Sequence, residues 1–475
     1  MSVVFRDSLS LVLAGEAGQG IQSIEALLTR IFKKSGFHVF ATKEYMSRVR
    51  GGMNSTEILV SSHPEPAFVN RIDILIPLAP GAITHLAERL DERTLVIGEA
   101  GQIGAPGMID IPFTKLASES GSAIMVNTLA AGVVAGLFGI ELGTAEDSVK
   151  EFFARKPAEI LAKNQAVFAR GLESGAKLRE GIRIEITRDP AVPEQIMLTG
   201  NEAVAMGAVA GGVNYVCAYP MSPGTPVMEL LADYSRRFDI LVEQVEDEVG
   251  VVNMAMGAWY AGARAMVTTS GGGFALMTEG VSLAGMAELP LVVHIAQRPG
   301  PATGLPTRTE QGDLFLALFA GPGEFARLVL APGDLQEAFD HGRAAMEWAD
   351  RFQVPVLLLT DQYLLESYYD TAVFDPDRPP VNRVVETAAD YRRFLITADG
   401  ISPRGIPGFG KGQVVVDSDE HDETGHITES LEVREAMVDR RLRKIETLRA
   451  VMPLPEWIGP VSYTHLAGDS QMTLP

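Results

Sequence analysis

The chain has 475 residues, 46% of them hydrophobic, and its 40 basic against 61 acidic residues give a formal net charge of -21. That length supports two or three domains with sizeable cores, and the acidic balance argues against nucleic acid or an anionic membrane as a partner, because phosphate surfaces are met by basic clusters. A single cysteine, Cys217, excludes a disulfide, a thiolate zinc site or an iron–sulfur cluster built from this chain alone, and it fits an intracellular, cytoplasmic protein.

Near the start, Arg6 and Asp7 precede a short strand-like run without the basic region and apolar stretch of a secretory leader. The apolar residues 9–14 then meet Gly15-Glu16-Ala17-Gly18-Gln19-Gly20 and a helical pattern through Ile21, Ile24, Leu27, Leu28 and Ile31. This is a strand, glycine turn and helix unit. The turn fits either an anion cradle or a tight structural turn, because its glycines are not in the nicotinamide order. Arg48, Arg50, Gly51 and Gly52 suit an anion, a partner surface or a solvated loop. Apolar runs at 72–78 and 94–98, with helical patterns between, predict a parallel sheet covered on both faces. Residues 122–140 are uncharged but carry Asn127, Thr128, Gly132, Gly136 and Gly139, which reads as a small-residue helix buried between layers rather than a membrane span.

Residues 179–195, with alternating isoleucines followed by Asp189-Pro190 and Pro193, read as an extended connector. A second α/β domain follows over 196–375. Strands are expected at 215–218, 241–242, 265–268, 291–296 and 354–359, and helices at 201–211, 225–237, 249–261, 275–287 and 335–350. The proline-rich Asp375-Pro376-Asp377-Arg378-Pro379-Pro380 breaks the pattern, and the polar remainder ends in a charge-rich helix at 430–449. The expected organisation is therefore 1–178, a linker at 179–195, 196–375 and a C-terminal extension at 376–475.

Three signals crowd the second domain, each where an apolar run ends or a helix begins, which is where α/β folds gather ligands. In Tyr219-Pro220-Met221-Ser222-Pro223-Gly224-Thr225-Pro226 the prolines stiffen a loop and so place a hydroxyl accurately. Glu248 opens a helix of small and apolar residues, where a carboxyl serves either as an acid or base or as a favourable charge at a helix start, together with Glu246 and Asp247. The run Thr268–Gly273 lacks the lysine of a nucleotide loop and points to close backbone approach. Arg298 and Arg308, past the strand holding His294, suit a carboxylate, whereas His294 itself reads as a packed residue. The cluster Asp417, Asp419, Glu420, His421, Asp422, Glu423 and His426 reads as a solvated polar loop rather than a metal site.

Those residues, with the block from Gln297-Arg298-Pro299-Gly300 through Thr307-Arg308-Thr309-Glu310-Gln311-Gly312-Asp313-Leu314, resemble the alpha subunits of 2-oxoacid:ferredoxin oxidoreductases. The likeness is particularly to the 2-oxoglutarate type with a gamma-like domain fused at the N-terminus. Ile401-Ser402-Pro403-Arg404 and the segment from Glu420 to His426 resemble the same family. The resemblance implies a gamma-like α/β domain followed by a parallel-sheet α/β domain of the thiamine-diphosphate pyrimidine-binding type. It implies that Glu248 hydrogen-bonds the aminopyrimidine, that Pro220, Met221, Ser222 and Glu248 contact the cofactor, and that Ser222 and Arg298 receive the substrate. Ser222 stands where the family has threonine and Met221 where it has isoleucine, which keeps the hydroxyl and alters the pocket wall.

The implied reaction converts 2-oxoglutarate and coenzyme A to succinyl-CoA, carbon dioxide and reduced ferredoxin. No magnesium-binding Gly-Asp-Gly motif occurs in this chain, so Mg2+ and the iron–sulfur cluster are expected on a beta subunit and activity is expected only with it. Pyruvate or a branched-chain 2-oxoacid as substrate, and a non-catalytic scaffold role, are the alternatives. The tail 461–475 continues no family pattern, which reads as a shortening relative to the family.

Overall fold

The computed structural model describes residues 3–16, 19–46, 52–65, 67–376 and 379–452. Arg48, Arg50, Gly51, two residues of the first glycine turn and the tail 461–475 lie outside them. Contacts divide the chain into two units, Met1–Gly323 with Arg327–Arg383, and Glu324–Ala326 with Val384–Pro475.

The first unit holds two large sheets. One has eight strands in the order Ile109–Asp110, Leu95–Gly98, Ile74–Pro77, Ser8–Glu16, Met53–Ser61, His38–Glu44, Tyr368–Thr371 and Ile196–Thr199. The first four are parallel, as the apolar runs predict, but Met53–Ser61 pairs antiparallel with both Ser8–Glu16 and His38–Glu44. The sheet is therefore mixed, which corrects the parallel expectation. Met53–Ser61 escapes a sequence reading because its first half is polar, yet its last seven residues are buried. Those polar groups are satisfied inside: Thr56 Oγ1 donates to Glu25 Oε2 at 2.7 Å, Arg89 Nη2 donates to Glu57 Oε2 at 2.6 Å and Ser10 Oγ donates to Glu57 Oε1 at 3.2 Å. Burial raises the carboxyls of both Glu25 and Glu57, against the lowering effect of Lys43 on one and Arg89 on the other.

One face of this sheet is covered by the helices Ile21–Lys34, Val126–Leu137 and Ala158–Leu178. Val126–Leu137 is buried almost throughout. The opposite face carries a smaller cluster around Val12, Leu75, Ala82 and Leu86. The stretch read as a connector contains a strand, Ile182–Glu185, paired parallel with Val3–Arg6. Tyr368–Thr371 is held against His38–Glu44 by Asp370, whose carboxylate meets His38 Nδ1 at 2.7 Å and the Val39 N–H at 2.6 Å.

The other sheet is parallel throughout, in the order Leu241–Gln244, Tyr215–Ala218, Ala265–Thr269, Leu291–Gln297, Pro355–Asp361, Leu328–Leu330. Its central strands are apolar on both faces, and Val216, Val267, Val293 and Leu357 are fully buried. Strand order reverses between Tyr215–Ala218 and Ala265–Thr269, and the carboxyl edge at such a reversal is where open α/β sheets bind ligands.

In the second unit the long helix is Leu431–Arg449. Its sequence looks solvated, yet Arg440, Arg441 and Lys444 are buried. Glu420 receives both Arg441 amino groups, at 2.9 and 2.8 Å, and although burial alone would raise its carboxyl, these bonds hold it below the usual range. The solvated-loop reading of 417–426 is corrected to that extent: His421 is fully buried and Asp422 Oδ1 ties back to Thr424. No group of three or more His, Cys, Asp or Glu able to hold a metal occurs among the described residues. No helix among them is long and apolar enough to cross a membrane.

Candidate active site at the switch point of the parallel sheet

Glu248 opens the helix Glu248–Tyr260 because Asp247 caps it, its side chain accepting the Gly250 N–H at 2.6 Å. The helix turns apolar residues on to the sheet, so Glu248 is carried to a position only 3% exposed. Its Oε1 has no hydrogen-bond partner. A buried carboxylate oxygen left unpaired costs on the order of 1–3 kcal/mol or more, and it is satisfied by any donor that enters beside it. Gly273 is what lets the Glu248 carboxylate pack there, since a Cβ at that position would lie 2.6 Å from Glu248 Oε1 and 2.2 Å from Thr269 Oγ1.

The stiff loop after Tyr215–Ala218 comes to the same edge. Pro220 and Met221 are half-buried and Ser222 is exposed. Ser270 Oγ meets Met221 Sδ, and Thr268 Oγ1 donates to Gly224 O at 3.0 Å, so the end of the neighbouring Ala265–Thr269 strand holds this loop. Arg298 Nη1 donates to Ser222 O at 2.7 Å, while its Nε is buried without a partner. Burial pushes the Arg298 guanidinium below its ordinary value, and it remains a cation. Met221, Ser222, Ser270 and Arg298 thus form one cluster, and Thr269 and Gly273 link its floor to Glu248.

His294 lies behind this edge rather than in it. It is fully buried, with Nδ1 2.9 Å from Thr268 Oγ1 and Nε2 2.8 Å from Thr360 Oγ1, and burial pushes it down to about 3. Arg308 does not join the cluster either. Its Nη2 pairs with Glu44 Oε1 at 3.1 Å. Asp313 is a member that sequence reasoning left unmarked. Its backbone N–H donates to Gln297 Oε1 at 2.9 Å, its Oδ2 is buried without a partner, and burial followed by the Glu310 charge raises its carboxyl. It packs where Gly271 has no side chain, since a Cβ there would sit 2.2 Å from Asp313 Oδ2. The available signal was a Gly-Asp pair immediately before the short helix Leu314–Phe319.

A parallel sheet whose switch point carries a buried acid at a helix start, packed against the glycines that open Gly271–Leu276, fits the thiamine-diphosphate-binding type of α/β domain. The orphaned Glu248 oxygen is an acceptor that an N–H of that cofactor's pyrimidine would satisfy, so the residues present fit it. A family model described as the thiamine-diphosphate-binding part of pyruvate flavodoxin/ferredoxin oxidoreductase matches residues 206–440, and one described as pyruvate ferredoxin/flavodoxin oxidoreductase matches residues 10–174. The chain is 31% identical to 2-oxoacid:ferredoxin oxidoreductase 2, subunit alpha, of Aeropyrum pernix, over 98% of this chain and 82% of that one. It is 29% identical to the 2-oxoglutarate oxidoreductase subunit KorA of Mycobacterium tuberculosis, over 75% of this chain and 60% of that one. Among solved structures it is similar to the 2-oxoglutarate:ferredoxin oxidoreductase of Magnetococcus marinus, a structure with 2-oxoglutarate, coenzyme A and succinyl-CoA bound. The TM-score is 0.89 at 28% identity, covering 95% of this chain and 80% of that one. The chain belongs to the family of 2-oxoacid:ferredoxin oxidoreductase alpha subunits.

Proposed function

We propose that this chain is the alpha subunit of a 2-oxoglutarate:ferredoxin oxidoreductase, which with a beta subunit converts 2-oxoglutarate and coenzyme A to succinyl-CoA, carbon dioxide and reduced ferredoxin. The observation that carries the reading is the buried, unpartnered Glu248 oxygen at the switch point. The likeness to the Magnetococcus enzyme supports 2-oxoglutarate as the substrate, while the pyruvate-named family models keep pyruvate as the acid to compare.

In this reading Glu248 accepts a hydrogen bond from the protonated pyrimidine nitrogen, and Pro220, Met221 and Ser222 wall the ring. Thiamine diphosphate, when bound, supplies a nucleophilic carbon and a sink for the electrons of decarboxylation. Arg298 receives the substrate carboxylate: its carbonyl contact to Ser222 fixes the guanidinium and leaves a second nitrogen unpaired for an incoming anion. Ser222, exposed beside it, offers a hydroxyl to the same ligand.

Mg2+ and the iron–sulfur cluster are assigned to the beta subunit. Cys217, this chain's single cysteine, is buried and its thiol is pushed up to about 12, chiefly by that burial, so it stays protonated and is a poor metal ligand. The test is anaerobic reduction of a viologen dye by this chain co-expressed with its genomic neighbour, dependent on coenzyme A, with 2-oxoglutarate compared with pyruvate. Preference for 2-oxoglutarate is expected. Preference for pyruvate would replace the substrate, and no turnover from a cofactor-loaded complex would overturn the reading.

A further inference from the structure

The loop that joins the Leu291–Gln297 strand to the Leu314–Phe319 helix carries Arg298 and is fastened along its length. At its start Arg298 holds Ser222 O. Inside it, the Leu305 N–H donates to Pro299 O and the Arg308 N–H to Leu305 O, both at 3.1 Å, so the segment folds back on itself. Further along, Gln311 Nε2 donates to Asp361 Oδ2 at 2.5 Å and Thr309 Oγ1 accepts the Tyr363 N–H at 3.3 Å.

Arg308 makes a different kind of attachment. It leaves the parallel sheet and reaches the end of the His38–Glu44 strand in the mixed sheet. Nη2 meets Glu44 Oε1 at 3.1 Å, and Nη1 donates to Tyr45 O at 2.9 Å and to Thr307 O at 3.0 Å. The receiving end is itself braced. His85 Nε2 lies 3.0 Å from Glu44 Oε2, and Tyr45 Oη donates to Glu366 Oε1 at 2.6 Å. Burial, and then the Glu366 charge, push the Tyr45 phenol up, which keeps it a donor across any working pH.

We infer that Arg308 is a positioning residue for the 2-oxoacid: pinned to Glu44 and to the Tyr45 carbonyl, it ties the substrate loop to the N-terminal sheet and so fixes where Arg298 presents its guanidinium. The inference rests on the proposed role of Arg298. The Arg308 and Glu44 side chains are 33% and 41% exposed, so as an ion pair the contact adds little to folding stability. Its value is geometric, because the planar fork of arginine engages a carboxylate and two backbone carbonyls in one orientation. Misplacing a substrate-binding group by ~1 Å costs up to ~100-fold in rate.

The experiment uses the complex with the beta subunit and the 2-oxoacid that wild type turns over. Arg308→Ala is expected to raise KM for that acid about tenfold while changing kcat and thermal midpoint far less. Arg308→Glu and Glu44→Arg are each expected to be impaired, and the double reversal to recover most of the loss. Tryptic cleavage after Arg308 gives a readout that needs no turnover, and it is expected to quicken in Glu44→Ala. Wild-type KM in Arg308→Ala overturns the inference, as does a double reversal no better than the singles, or cleavage unchanged in Glu44→Ala. Should Arg308→Ala not fold, the reversal pair and the cleavage rate decide. Absence of any 2-oxoacid turnover in wild type would instead sink the functional reading, leaving the cleavage test to judge the clamp.

Discussion

Glu248 is buried with no protein hydrogen-bond partner for Oε1, an unfavourable place to which the capped helix start holds it. Glu248→Gln keeps the volume and removes the acid. Turnover of the complex is expected to fall by about 100-fold or more, while the thermal midpoint stays equal or rises, as happens when a strained functional group is relieved. Full turnover in this variant would favour a scaffold role. Behind the site, His294 sets an acid limit on stability. Its folded-state value of about 3 lies below the ordinary 6.5, so below pH 6.5 the unfolded chain binds a proton that the folded chain refuses. Stability is therefore complete above 6.5 and is lost as pH falls towards 3, with a slope of at most about 1.4 kcal/mol per pH unit from this residue. His294→Gln, able to meet both Thr268 and Thr360, is expected to flatten that part of the profile of urea midpoints. An unchanged slope would refute the assignment.

At the scale of elements, two kinds of glycine separate cleanly. The helices Val126–Leu137 and Ala158–Leu178 approach so closely that a Cβ at Gly175 would lie 1.9 Å from Val133 O, and one at Gly136 would lie 2.1 Å from Leu172 O. Backbone cannot yield as a flexible side chain does. Gly175→Ala is expected to cost about 3 kcal/mol or more by forcing the pair apart, seen as a lowered thermal midpoint. Gly143, in the exposed first turn of Leu142–Phe152, would meet nothing within 4 Å. Gly143→Ala is expected to be neutral or to stabilise by about 0.4–1 kcal/mol through the unfolded chain. Equal effects from the two substitutions would contradict this packing.

For the whole molecule, the clearest expectation concerns completeness. The candidate site is an open edge with Ser222 exposed, and this chain has one cysteine, which is buried. Purified alone it should bind thiamine diphosphate weakly and show no viologen reduction; co-expression with the beta subunit should restore both. Turnover by the single chain would refute the division of labour. The exposed Phe315 and Phe319 rings stack 6.3 Å apart on the helix that ends the Arg298 loop.

Much of the parallel sheet was legible in sequence because its signals are local. Apolar runs of four to seven residues, stiff turns and helix starts each follow from neighbours in the chain, and Asp247 capping the Glu248 helix is decided within three residues. The mixed sheet was not legible to the same degree. Thr56 and Glu57 look like surface residues until Glu25 and Arg89, 31 and 32 positions away, supply their partners. Tyr368–Thr371 reaches His38–Glu44 across more than 300 residues of chain, and no local pattern carries that register. The sequence by itself determined which residue types stand at the stiff turns and helix starts of the parallel sheet, since residue type and helix position are local properties. Only the tertiary structure decided that Glu248 is left without a partner, that His294 is walled off between two threonines and that Arg308 turns away from the site to grip Glu44, because burial and partner choice belong to groups that meet only after the chain has folded.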